Sequence, residues 1–147
     1  MTKSERTPED SFWLDRDTSR VGEEPDAVPH YDLEERTARF DQAIIDFAKR
    51  IPRGPLTDRI IDQLVTAETS VGANYIEADD SVSKKEFLKC IGYLQKRSTR
   101  NKTFLSMVAR AVPELQTDAR KLWLEARALH LIFARIWRTG KQSNEAQ

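Results

Sequence analysis

Residues 113–140, PELQTDARKLWLEARALHLIFARIWRTG, decide the fold class of this chain. Leu115, Leu122, Ala126, Leu129, Phe133 and Ile136 fall on one side of a helical wheel, as a core-facing helix requires. Leu124, Ala128 and Leu131, spaced i, i+4, i+7, lie nearly opposite. Pro113 suits the first turn of such a helix and Gly140 reads as its stop. A helix at the edge of a small bundle has one face to bury. The second stripe therefore reads either as scattered surface leucines or, the reading preferred here, as a contact for self-association.

The same periodicity extends upstream. Leu33, Phe40, Ile44 and Phe47 mark the buried face of a first helix. Asp32 with Glu35 resembles a capping box at its start, and Glu34, Glu35, Lys49 and Arg50 suit its dipole. Pro52, Gly54 and Pro55 end it. A second helix is expected over 56–78, with Ile60, Leu64, Ala67, Val71 and Tyr75 inward. Ser83 and Glu86 form a second capping box, and Phe87, Ile91, Leu94, Leu105 and Val108 carry a third helix to about Ala111. No alternating strand pattern and no hairpin turn interrupts the series. The expected fold is all-α: an antiparallel up-and-down four-helix bundle over 32–140, preceded by a flexible acidic arm at 1–31 and followed by a disordered tail at 141–147.

Composition narrows the function. The 147 residues suit one domain, and 24 Lys+Arg balance 24 Asp+Glu. Residues 1–31 hold four basic and eight acidic side chains, so the arm is −4 and the remainder +4. A single cysteine, Cys90, excludes an internal disulfide and a cysteine-based zinc site. Cys90 itself reads as a small core residue between Phe87 and Ile91. No apolar run reaches the roughly 20 residues of a membrane span, and the N-terminus lacks a signal-like apolar stretch. A cytoplasmic protein without contact to membranes is expected. No phosphate loop, nucleophile elbow or zinc-binding His pattern is present, and Asp79-Asp80 reads as a helix-terminal turn. The expectation is therefore no enzyme, no metal and no cofactor.

Three features call for more than a lone bundle. Phe12, Trp13 and Leu14 interrupt the acidic arm between Asp10 and Asp15; they pack back on the domain or form a short partner-docking motif. In the second helix Gln63, Ser70, Asn74 and Glu77 share a face among small residues. That stripe is either solvated or a hydrogen-bonded helix contact, and Gly72 beside it is tolerable where another backbone approaches closely. The third helix is rich in base: Lys85, Lys89, Lys96 and Arg100 fall within one broad face, with Arg97 and Tyr93 nearby. Cations around an aromatic ring can hold phosphates and stack bases, although a charge run also serves as a plain solvated face.

The stretches Gln63-Leu64, Ser70-Val71-Gly72-Ala73-Asn74-Tyr75-Ile76-Glu77-Ala78 and Ser83-Lys84-Lys85-Glu86-Phe87 resemble the four-helix-bundle protein family first noted in intervening sequences of bacterial large-subunit ribosomal RNA genes. Asp32-Leu33 with Arg36-Thr37 and Phe40, and Glu125-Ala126 with Leu129, fit the same pattern. The resemblance covers about residues 31–140. It implies a bacterial up-and-down bundle assembled as a homopentamer, without enzymatic activity and suspected of binding RNA. A similar pentameric bundle is the accessory protein of diversity-generating retroelements, which binds a reverse transcriptase and nucleic acid. The sequence departs from the family in the third helix, where Arg97 and Arg100 stand in place of glutamates and Asn101 and Phe104 alter a Thr-x-x-Trp-Leu ending.

Together these readings give a non-enzymatic oligomeric module for a nucleic-acid or ribonucleoprotein process. Its partners would be further copies of itself, RNA or single-stranded DNA, and a nucleic-acid enzyme such as a reverse transcriptase. The alternative is a protein-only scaffold whose acidic arm docks a protein through Phe12, Trp13 and Leu14.

Overall fold

A computed structural model describes residues 30–66, 70–81 and 83–145. The arm, with Phe12, Trp13 and Leu14, lies outside the described residues, as does Ala67. Among the described residues the chain is all-helical: α1 (His30–Arg50), α2 (Asp58–Val65), α3 (Val71–Asp79), α4 (Lys84–Ala111), a 3₁₀ turn (Pro113–Leu115) and α5 (Gln116–Glu145). No strand occurs among them.

The inward stripes read from the sequence form the core. Leu33, Phe40, Ile44 and Phe47 of α1 are buried, and so are Ile60, Leu64, Val71 and Tyr75. From α4 come Ile91, Leu94, Leu105 and Val108, and from α5 Ala126, Leu129 and Phe133. Phe87, Cys90, Leu122 and Ile136 pack against this core while partly exposed. Ser83 caps α4 as expected, its hydroxyl accepting from the Glu86 amide at 3.2 Å. Pro113 opens the 3₁₀ turn that reverses the chain between α4 and α5.

α4 and α5 form an antiparallel hairpin. Gly92 meets Trp137, Thr99 meets His130 and Lys102 lies over Trp123, so each step along α4 goes back along α5. α1 also runs against the sense of α5. Arg36 donates to Glu125, with Nη2 2.7 Å from Oε1, and Arg50 pairs with Asp118 at 2.6 Å.

Four expectations give way. The helix expected over 56–78 is two helices, because the chain leaves helical geometry after Val65, with Thr66 extended at ψ 145°. A new start at Ser70 replaces the missing helical bonds: Ser70 Oγ accepts from Ala73 N at 3.2 Å. Asp41 of α1 accepts from Val71 N at 3.1 Å, Gly72 N at 2.7 Å and the Ser70 hydroxyl at 2.8 Å. One carboxylate thus satisfies donors that a helix N-terminus leaves open. Second, Gly140 does not stop the last helix, which continues to Glu145, so 141–145 is helix rather than tail. Gly140 instead lies under Leu88, whose Cδ2 would stand 2.5 Å from a Cβ there and would have to swing aside. Third, α1 begins at His30, which puts Asp32 inside the helix rather than at its cap. Fourth, residue 31 belongs to α1, not to the arm.

The close approach foreseen at Gly72 is present. A Cβ on Gly72 would lie 2.6 Å from Asp41 Oδ2 and 3.3 Å from both Thr37 O and Ala38 N. Burial pushes the Asp41 carboxyl above its ordinary value, against the lowering effect of its bonds from Ser70, Gly72 and Val71. α1 and α3 are therefore joined by a half-buried carboxylate at a point where only glycine fits.

Candidate nucleic-acid interface

α4 carries the charge. Lys84–Ala111 holds eight basic side chains and one acidic one, Glu86, in a chain whose total is zero. A helix so loaded must face its cations to solvent or to an anion, because burying them unpaired is costly. Leu88, Ile91, Leu94, Leu105 and Val108 fix one face inward. Lys85, Lys89, Lys96 and Arg100 consequently point outward and are exposed.

Against α5 this outward face forms a shallow groove of about 960 Å³. Lys89, Tyr93 and Lys96 line it from α4, and His130, Leu131, Ala134, Trp137 and Arg138 line it from α5. Among the described residues no carboxylate lines it. Gly92 lets the indole of Trp137 lie close to α4, with Nε1 3.5 Å from where a Cβ would be. Lys141 Nζ sits 4.6 Å from the Trp137 ring centroid, adding a cation at the rim. His130 Nδ1 lies 3.1 Å from the Gln95 carbonyl and 3.3 Å from Thr99 Oγ1. Burial chiefly, with the Lys102 charge assisting, pulls His130 below its ordinary value despite the Gln95 bond. A neutral ring donates Nδ1–H to that carbonyl and keeps Nε2 as an acceptor. Lys102 is lowered as well, by burial and then by Arg127.

Of the residues picked from the sequence, Lys89, Tyr93 and Lys96 share this groove, while Lys85 and Arg100 are exposed but do not line it. Arg97 is a correction. It is only 8% exposed, its guanidinium carbon is 4.5 Å from the Tyr93 ring centroid, and Nη2 donates to the Tyr93 hydroxyl. Arg97 folds over the Tyr93 ring one turn before it and is covered there, so it is not a surface cation. The sequence reading missed Trp137, His130 and Arg138. Their signal was present as a stripe at 130, 134 and 137 between the two apolar faces of the last helix.

The interface candidates fare differently. The polar stripe does not exist as one face: Gln63 belongs to α2, and the break at 66–70 takes it out of register with Ser70, Asn74 and Glu77. Ser70 is occupied by capping, and Asn74 Nδ2 donates to Ser70 O at 2.6 Å. Only Glu77 stays exposed. The second apolar stripe of α5 loses its middle, since Ala128 is buried, Leu124 is half-buried and Leu131, the exposed member, lines the α4–α5 groove.

Among the described residues no group of three His, Cys, Asp or Glu side chains could hold a metal. No helix among them is long and apolar enough to cross a membrane. No protein-family model matches the chain, and the searches of curated proteins and of solved structures found no match either.

Proposed function

We propose that this chain is a non-enzymatic helical module that binds the phosphate backbone of nucleic acid along the α4–α5 groove, as an accessory to a nucleic-acid or ribonucleoprotein process. The observation that carries the reading is the groove lining: Lys89, Lys96 and Arg138 together with Tyr93, His130 and Trp137, and no carboxylate among the described residues. Cations that neutralise phosphates release bound counterions, which drives association.

The bundle of the family resemblance fits this reading. α2 and α3 together would stand for its second helix, and the antiparallel pairs Arg36–Glu125 and Arg50–Asp118 support an up-and-down order. A homo-oligomer, pentameric by that resemblance, would repeat the groove once per subunit and raise avidity.

The test is fluorescence anisotropy with short labelled RNA and single-stranded DNA over a range of salt, beside light scattering for native mass. Replacing Lys89, Lys96 and Arg138 by alanine should lower the magnitude of the log K against log salt slope by about 0.7 for each lost contact on a single strand. Unchanged affinity and slope in that variant would rule the groove out. The scaffold reading has no support among the described residues, because its docking motif lies outside them.

A further inference from the structure

We propose that the groove takes single-stranded nucleic acid, with one unpaired base stacked on Tyr93 and with Arg97 as the residue that positions that ring. The inference rests on the reading of the groove as a phosphate-binding site and adds what lies between the phosphates. Tyr93 lines the groove and is 42% exposed, and it is the aromatic ring that α4 shows to solvent beside Lys89 and Lys96. Its position is not loose. Arg97, one helical turn on, lies against one face with its guanidinium carbon 4.5 Å from the centroid. The Arg97 Nη2 group donates to the Tyr93 hydroxyl, so ring tilt and ring slide are both restrained.

Arg97 has no carboxylate partner among the described residues, and its Nη1 is enclosed without a hydrogen bond. An arginine held in that way contributes little as a phosphate contact, because phosphate would have to reach an enclosed atom. What it does is cover one face of Tyr93 while the residue as a whole stays 42% exposed. A ring fixed in this manner is half of a stack, and a planar aromatic partner completes it. Leu88, Leu131 and Ala134 add an apolar floor that phosphates have no use for and bases do. In a duplex the faces of the bases are occupied by their neighbours. Only an unpaired base can present its face to a side chain in this way.

The experiment compares three labelled ligands of equal length by anisotropy: oligothymidylate, the same strand with abasic sites throughout, and a duplex. The proteins are wild type, Tyr93→Ala, Arg97→Met and Lys96→Ala, each checked for helicity by circular dichroism. Tyr93 is exposed, so its truncation leaves the fold intact. Tyr93→Ala is expected to weaken oligothymidylate binding by between about 5- and 150-fold, the span of one base–aromatic stack. The abasic strand and the duplex should bind the variant as they bind wild type. Arg97→Met should lose most of the preference for oligothymidylate over the abasic strand at an unchanged salt slope, whereas Lys96→Ala should lower the slope by about 0.7. Equal losses on abasic and normal strands in Tyr93→Ala would overturn the stack. A salt slope lowered by a full contact in Arg97→Met would make Arg97 a phosphate ligand and overturn its positioning role. Binding of all three ligands without preference would leave a phosphate groove and refute the single-strand inference. No binding of any of them at low salt would refute both readings. If Arg97→Met fails to fold, Tyr93→Phe takes its place: it keeps the ring but removes the hydroxyl that receives Arg97, and an unchanged preference would show that this bond does not position it.

Discussion

Gly72→Ala tests the junction on which the broken second helix depends. Alanine in a helix interior is ordinarily about 1 kcal/mol better than glycine, an upper bound here because Gly72 is the second residue of α3. Here the new methyl carbon would stand 2.6 Å from Asp41 Oδ2 and 3.3 Å from Thr37 O and Ala38 N. The backbone contacts are tight but need a shift of only tenths of an ångström. The carboxylate contact needs about 0.8 Å to reach ordinary separation, and Asp41 cannot retreat along α1 without breaking what it holds. Lengthening its 2.7 Å bond from Gly72 N by that amount takes it beyond hydrogen-bond distance. A bond to a charged acceptor is worth about 1.5–3 kcal/mol. Set against a propensity gain of up to about 1 kcal/mol, the net is a loss of roughly 0.5–3 kcal/mol. The assay is urea unfolding followed by helical circular dichroism, with Gly54→Ala as the control. A Cβ at Gly54 meets nothing within 4 Å and its φ is not positive, so that variant should be neutral or gain up to about 1 kcal/mol. Gly72→Ala as stable as wild type would show that α1 and α3 do not meet as described.

The remaining predictions concern charge. For Asp41, the folded-state pKa lies above the unfolded value of 3.8, so the folded protein holds the extra proton in the window between the two. Wild-type stability relative to Asp41→Asn should therefore shrink as pH rises from 3.8 through the raised value and then level off, and urea midpoints that diverge upward instead would contradict burial as the dominant cause. His130 has the opposite sign: its folded pKa lies below the ordinary 6.5, so stability present above 6.5 should fall as pH drops through the lowered value, and His130→Gln should flatten that part of the profile in thermal melts. Arg36 and Glu125, with side chains 30% and 34% exposed, should show a coupling of about 0.5–1 kcal/mol in a double-mutant cycle of unfolding free energies; no coupling would make the pair incidental.

Much of this architecture was legible because it depends on period alone. Leu33, Phe40, Ile44 and Phe47, and likewise Ile91, Leu94, Leu105 and Val108, are inside because a helix of 3.6 residues per turn puts them on one side. The Ser83 cap was legible for the same local reason. The break in the second helix was not. Ile60, Leu64, Val71 and Tyr75 keep helical spacing across it, so an apolar count sees one helix where there are two. The decisive residue, Asp41, sits about 30 positions away and acts only through tertiary contact. The clue was nearer: Thr66 to Ser70 is a run of small and polar residues that favours local side-chain bonds over helix. Gly140 misled in the other direction, since a glycine that reads as a stop sits within a continuous helix, under the Leu88 side chain. The groove was half legible. Lys89, Tyr93 and Lys96 share a face of one helix, but pairing with His130 and Trp137 requires the antiparallel register of the hairpin, which no single-helix pattern contains.

A groove proposed to bind a polyanion is less odd on a neutral chain than the total charge suggests. At physiological ionic strength charges are screened over about 8 Å, so a bound phosphate responds to Lys89, Lys96 and Arg138 and scarcely to acids elsewhere. Neutrality on the whole-molecule scale then matters only where screening is weak. At about 0.01 M salt the screening length grows to about 30 Å, so the acids of this balanced chain act over a longer range. Their opposition should blunt electrostatic attraction under those conditions. A plot of log K against log salt should accordingly be steep and linear near physiological salt and flatten toward low salt. A uniformly basic protein with the same three groove cations would stay linear over the whole range. The curvature of that plot thus separates a locally basic site on a balanced chain from a generally basic surface, which the slope alone cannot do.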